Sequence, residues 1–154
     1  MMSHIGESGE ARMVDISKKE ITERRAVASA KVFLNSETLE VLRLNQLPKG
    51  SPFEVARIAG ILAAKKTSEL IPLCHQIGLS KVDLKIELSD YGVYLEAEAK
   101  ASDKTGVEME ALTAVTIAAL TIYDMCKSIQ KDIEIGEIRL ELKEGGKSGK
   151  YVRP

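Results

Sequence analysis

The chain predicts an α+β fold built on an antiparallel sheet. Three observations carry that reading: a run of small and β-branched residues near the start, a hairpin pattern in the middle, and helix-start signals between the strand-like segments. Ala26-Val27-Ala28-Ser29-Ala30-Lys31-Val32-Phe33-Leu34 reads as the first strand. Asn35-Ser36 offers an N-cap, and a helix from about Glu37 to Gln46 repeats Leu39 and Leu42, with Leu47 beyond, before the turn signal Pro48-Lys49-Gly50. Ser51-Pro52-Phe53-Glu54 combines an N-cap serine, proline at the first helical position and a capping-box glutamate, which predicts a second helix to about Lys66.

Ile71-Pro72-Leu73-Cys74-His75 is an irregular link, because Pro72 turns its neighbour away from the helical region. Val82, Leu84, Ile86 and Leu88 alternate through Lys81 to Leu88, and Ser89-Asp90-Tyr91-Gly92 turns the chain into Val93 to Lys100. Thr105-Gly106-Val107-Glu108 repeats the capping-box pattern and opens a long helix to about Lys131. Ile133 to Leu142 reads as the last strand through Ile135, Ile138, Leu140 and Leu142. From Ala111 to Tyr123 the long helix is apolar or small on nearly every side, so its outer face is expected to meet another subunit.

One domain over 1–154 suits a chain of 154 residues that is 44% hydrophobic, with a flexible arm over 1–12 and a flexible Gly/Lys tail over 144–154. A net charge of -1 and an aromatic content of 4% argue against nucleic acid and against an anionic membrane surface as partners. Cys74 and Cys126 stand far apart, in neither a disulfide framework nor a zinc spacing, and a reducing cytoplasm fits them. The start MMSHIGESGE lacks a signal-peptide pattern, and the longest apolar stretch is broken by threonines and reads as too short to span a bilayer.

Several side chains could carry chemistry. The tail Gly145-Gly146-Lys147-Ser148-Gly149-Lys150 is not a phosphate-binding loop, because the first glycine of that motif would fall at Glu141 and no helix can follow before Pro154. His75 stands in the irregular link, either as a proton donor and acceptor or as a packed, satisfied residue. No second His or Cys lies at ligand spacing, and His4 belongs to the arm, so no metal site is expected. Glu108 has a capping role, whereas Glu110 has no local one and is the better candidate for a ligand-facing carboxylate. Asp124 and Lys127 share a helix face, as a solvated ion pair or as partly buried acid/base groups. Fourteen residues separate Glu110 from Asp124, about 21 Å of helix axis. Either they serve opposite ends of a long ligand or, as the apolar helix favours, a second copy brings one beside the other. Lys19, Arg24, Lys49, Lys143 and Lys147 are scattered cations that only the fold could gather.

Three motifs then identify a resemblance: Ile71 to His75, Lys104 to Thr113 (KTGVEMEALT) and Ala119 to Lys127 (ALTIYDMCK). With Met13 to Ser17, Pro48-Lys49-Gly50, Ala56 to Gly60 and Gly145 to Gly149, the chain resembles, over nearly its whole length, the cyclic pyranopterin monophosphate synthases, the C proteins of molybdenum cofactor biosynthesis. The resemblance implies a ferredoxin-like subunit, a hexamer of three dimers formed through the long helix and sheet, and active sites between subunits. It implies a small-molecule substrate, the cyclised GTP 3′,8-cyclo-7,8-dihydro-guanosine 5′-triphosphate, which is rearranged to cyclic pyranopterin monophosphate with loss of diphosphate by a phosphorus–oxygen lyase. Asp124, Lys127 and Lys49 match the catalytic positions. Leu73, Cys74, His75, Glu108, Met109 and Glu110 match substrate-contacting positions, and Lys19, Arg24, Lys143 and Lys147 fall among the pocket cations. No cofactor is required, and Mg2+ would come only with the triphosphate. Two departures stand out: Gln76 where the family usually has proline, and Ser51 where aspartate is usual.

Overall fold

A computed structural model describes residues 3–154; Met1 and Met2, the start of the expected arm, lie outside the described residues. The chain runs β1 (Thr22–Phe33), α1 (Ser36–Arg43), α2 (Pro52–Lys65), α3 (Thr67–Leu70), β2 (Leu79–Ser89), β3 (Gly92–Asp103), α4 (Glu108–Cys126), β4 (Glu134–Glu144) and β5 (Tyr151–Val152). All pairings are antiparallel and the sheet order is β2-β3-β1-β4-β5. Helices join β1 to β2 and β3 to β4, which is the ferredoxin-like split βαβ arrangement with β5 added at one edge.

Period-two alternation gives the sheet two unlike faces. Ala26, Ala28, Ala30 and Val32 of β1 stand opposite Ala99, Ala97, Leu95 and Val93 of β3, and all eight are fully buried. The intervening pairs, Arg25 with Lys100, Val27 with Glu98, Ser29 with Glu96 and Lys31 with Tyr94, make the other face predominantly polar. Helix α4 lies on the alanine-rich face and buries Ala111, Ala114, Val115, Ala118, Ala119 and Ile122 completely. Small side chains on both sides leave a thin, close-packed seam. α2 lies beside α4 and against β2, at a spacing that Gly60 permits: a Cβ there would stand 2.7 Å from Leu84 Cδ2 and 3.0 Å from the Ala114 carbonyl oxygen.

The strands and hairpin fall where the alternation predicts, with ends that differ by a few residues. α1 is capped as expected, Asn35 Oδ1 accepting from Thr38 N at 2.9 Å, but it stops at Arg43, followed by Asn45 at a positive φ of 52°. The two capping boxes do not form. Ser51 makes no side-chain cap bond while Glu54 approaches Arg57 at 3.5 Å, and α4 starts at Glu108 with Val107 at its N-cap, the Glu108 carboxylate meeting Lys143. α4 also ends at Cys126 rather than near Lys131; Ile129 N and Gln130 N turn back on the Cys126 carbonyl, and Gln130 Oε1 accepts from Asn35 N at 2.9 Å.

β4 departs from simple alternation through two register shifts against β1, and Glu137 takes a positive φ of 49°. Ile138, expected to face inward, is 42% exposed as a result. In the tail expected to be flexible, Gly145 and Gly146 turn the chain at positive φ and Tyr151–Val152 pairs with Lys143 and Leu142. The apolarity of α4 has an explanation within one subunit, since the sheet lies under it and α2 beside it. Its threonines do not shorten the apolar stretch as expected: an 18-residue window of the 19-residue helix has a mean hydropathy of 1.3, enough by length and composition to cross a bilayer, and half of that window is buried. Leu120 on α4 and Val55, Ile58 and Leu62 on α2 remain exposed.

Candidate functional site

The N-terminal end of α4 gathers one group of side chains. The link after α3 carries Leu73, Cys74 and His75 alongside the first turn of α4, which presents Glu108, Met109 and Glu110, and these six line a single cleft of about 120 Å3 together with His4, Ile77, Thr105 and Gly106. Pro72 keeps the link irregular, so successive side chains are not committed to one helical face. Leu73, Cys74 and Met109 also border a wider, mostly apolar cavity of about 530 Å3 under the arm residues His4 and Ala11.

Glu110 is only 4% exposed, and its carboxyl group is pushed up to about 7, first by burial and then by the negative charges of Glu108 and Asp103, against the lowering effect of its own backbone N–H. Burial therefore favours its protonated form at a higher pH than for an ordinary carboxyl group. The Cys74 thiol is raised by burial and by the charges of Glu110 and Glu108, which disfavours its thiolate. Glu108 Oε1 accepts from Lys143 Nζ at 3.2 Å, while its Oε2 is buried without a partner. An orphaned carboxylate oxygen in a cleft is an acceptor waiting for a ligand N–H or O–H. His75 Nε2 lies 2.6 Å from the Val14 carbonyl oxygen.

The opposite end of α4 holds the second group. Asp124 Oδ1 stands 2.8 Å from Lys127 Nζ, and its Oδ2 is 4.0 Å from Lys49 Nζ, delivered by the turn after α1. Lys127, through a hydrogen bond and its charge, and then Lys49 hold the Asp124 carboxyl below its ordinary range, and Asp124 raises Lys127 in return. The partial burial expected of this pair is not present in the single subunit: Asp124 and Lys127 side chains are each 55% exposed and Lys49 is 51% exposed. The helix ends one residue after Met125 and the exposed Pro48-Lys49-Gly50 turn covers only one side, so water reaches the carboxylate. An ionised carboxylate can accept a proton, and the two ammonium groups beside it can each supply one.

The remaining expected cations divide. Lys143, on β4, reaches the cleft residue Glu108 through Nζ, and Arg24 Nε donates to the Asp103 carbonyl at 3.3 Å near the same end of the sheet. Gly146 packs on Arg24, since a Cβ there would stand 1.8 Å from the guanidinium. Lys19 and Lys147 are exposed and make no ion pair among the described residues. His4, Ile77, Thr105 and Gly106 are cleft residues that sequence reasoning missed. Thr105 and Gly106 stand in the quoted motif, where they signal a helix start, whereas nothing in the sequence signals that His4 or Ile77 reaches the cleft.

The MoaC family model matches residues 13–146. The cyclic pyranopterin monophosphate synthase of Heliobacterium modesticaldum is 52% identical over 154 residues, covering 99% of this chain and 97% of the relative. That of Peptoclostridium acidaminophilum is 50% identical over 151 residues, covering 98% and 96%. The mitochondrial cyclic pyranopterin monophosphate synthase of Arabidopsis thaliana is 51% identical over 154 residues, and the chain spans 57% of its length.

Proposed function

Because the chain belongs to the MoaC family, we propose that it converts 3′,8-cyclo-7,8-dihydro-guanosine 5′-triphosphate to cyclic pyranopterin monophosphate with release of diphosphate, as a phosphorus–oxygen lyase of molybdenum cofactor biosynthesis. The observation that carries the proposal is the sorting of residues along α4: Leu73, Cys74, His75, Glu108, Met109 and Glu110 share one cleft, and Lys49 and Lys127 meet on Asp124.

The reaction opens a reduced purine ring and closes a pyrazine and a cyclic phosphate, a series of proton transfers with developing negative charge. Asp124, held ionised, would take protons, and Lys49 and Lys127 would protonate leaving groups and stabilise the charge that appears. In the cleft, a protonated Glu110 and the unpartnered Glu108 Oε2 offer a donor and an acceptor to the heterocycle. Lys143, Arg24, Lys19 and Lys147 would neutralise the triphosphate. No cofactor is needed for a rearrangement with elimination, and Mg2+ would enter only on the phosphates.

About 21 Å of helix separates the two groups in one subunit. A site shared between copies would unite them, and would bury the exposed triad, in the hexamer of three dimers that the family resemblance implies. The exposed Leu120, Val55, Ile58 and Leu62 suit such contacts. The location we propose is the cytoplasm, where two unpaired cysteines stay reduced.

Incubating the protein with the cyclised substrate and following products by mass spectrometry tests the reading. Formation of cyclic pyranopterin monophosphate and diphosphate is the expected result. Binding without conversion would leave a metabolite-binding module that regulates a partner, and neither binding nor conversion would leave a scaffold.

A further inference from the structure

Resting on the function proposed above, we infer that Val14 is a positioning residue: its carbonyl group, on the N-terminal segment, fixes the ring and tautomer of His75 in the cleft. The bond spans 61 residues of sequence at 2.6 Å and is partly buried. A carbonyl oxygen has no proton to give, so His75 Nε2 carries the hydrogen and donates it. In the neutral ring Nδ1 is then the acceptor, free to take a proton from a ligand.

The link that bears His75 cannot aim the ring by itself. Residues 71–78 belong to neither helix nor strand; within them the Cys74 N to Ile71 carbonyl turn, at 3.1 Å, precedes the histidine, and Gln76 supplies no proline stiffness after it. The segment that carries Val14 is tied down independently. Ser17 N donates to Asp15 Oδ1 at 2.9 Å, Lys19 N donates to the Ile16 carbonyl at 3.0 Å, and Lys104, just before α4, donates from Nζ to the Ser17 carbonyl at 3.3 Å. Val14 and Ile16 are half-buried while Met13, Asp15 and Ser17 are exposed, so the segment lies along the subunit with alternate residues turned in. Asp15 is fixed in the same way: its hydrogen bonds from Ser17 hold its carboxyl below the ordinary range. A ring that must present one nitrogen to a reacting molecule gains from a fixed orientation, since misplacement by about 1 Å can cost roughly a hundredfold in rate.

The chain contains two histidines, which makes the test direct. His4 approaches the Arg12 carbonyl through Nδ1 at 3.2 Å, the opposite ring nitrogen, and serves as an internal reference. In NMR of the full chain with isotope-labelled histidine, His75 is expected as the Nε2–H tautomer with a slowly exchanging ring proton. His75→Gln keeps a donor nitrogen at the place of Nε2, whereas His75→Ala does not. Trypsin is therefore expected to cut after Lys18 and Lys19 in His75→Ala several-fold faster than in the parent or His75→Gln. A chain without its first sixteen residues should lose the slow proton and fall about ten- to a hundredfold in kcat with little change in KM.

An unprotonated Nε2 in the full chain, or equal cleavage of all three proteins, overturns the inference. The NMR and proteolysis readouts do not use the substrate, so failure of the proposed reaction would leave the contact standing, whereas an unchanged kcat in a folded shortened chain would overturn the positioning role. If the shortened chain does not fold, the proteolysis comparison alone decides.

Discussion

The two ends of α4 are built from the same kinds of residue and yet present opposite environments. At the N-terminal end Glu110 is 4% exposed and raised to about 7, with water displaced by the link, the first turn and the arm. At the C-terminal end Asp124 is 55% exposed and held low by two lysines. Burial tunes the first carboxylate and paired charge tunes the second. Exposed ion pairs are screened by water and add little to stability, so the triad does not hold the fold together. Under the proposed function its value would lie in what a covering surface makes of it, because the same charges act far more strongly once water is excluded.

Substitutions can test that contrast. The largest effect is expected for Asp124→Asn, which should reduce turnover by about a hundred- to ten-thousandfold while leaving the thermal midpoint nearly unchanged, measured by product formation and by calorimetry. Mixing Asp124→Asn with His75→Ala chains after joint unfolding and refolding should then restore roughly a quarter of the sites if each draws on two copies. Recovery of no activity would confine each site to one subunit.

Glu110→Gln should stabilise the fold by up to about 3 kcal/mol above pH 7. The sign follows from the raised value. Between its ordinary 4.5 and about 7 the folded state binds more protons than the unfolded one, so the native carboxylate costs stability as pH rises through about 7, and glutamine removes that cost. Denaturation at pH 8 and at pH 4.5 should show the difference shrinking towards the acid end. Lys143→Ala should raise KM about tenfold, by removing a charge that also holds Glu108. Lys49→Ala, whose ammonium stands 4.0 Å from Asp124, should change unfolding free energy by no more than about 0.5 kcal/mol while still lowering turnover.

The sequence pattern predicts elements better than it predicts their ends. Val82, Leu84, Ile86 and Leu88 locate β2 because a two-residue period survives whatever packs above it. The capping box at Thr105 to Glu108 fails because α4 starts later than the box requires, with Val107 rather than Thr105 at its N-cap and Glu108 as its first residue, and Glu108 meets Lys143, thirty-five residues away on β4, a contact that no local pattern encodes. β5 is two residues long, too short for any periodic signal. Glu110 was legible as the acid without a local role, and the fold gives that reading its cause in burial. The meeting of Lys49 with Asp124 was legible only through the family resemblance, since it joins a turn and a helix end 75 residues apart. The Val14 contact with His75 had no signal at all: a backbone carbonyl looks the same in every residue.

The alanine seam beneath α4 fixes how the two ends can err. With Ala28 and Ala97 below and Ala114 and Ala118 above, all at 0% exposure, there is no slack to absorb an added methyl group. A larger residue at Ala114 would tilt the whole rod like a plank lifted on a pebble, shifting the carboxylates at both tips together. An interior change that touches no ligand would thus register as simultaneous faults in two distant chemistries.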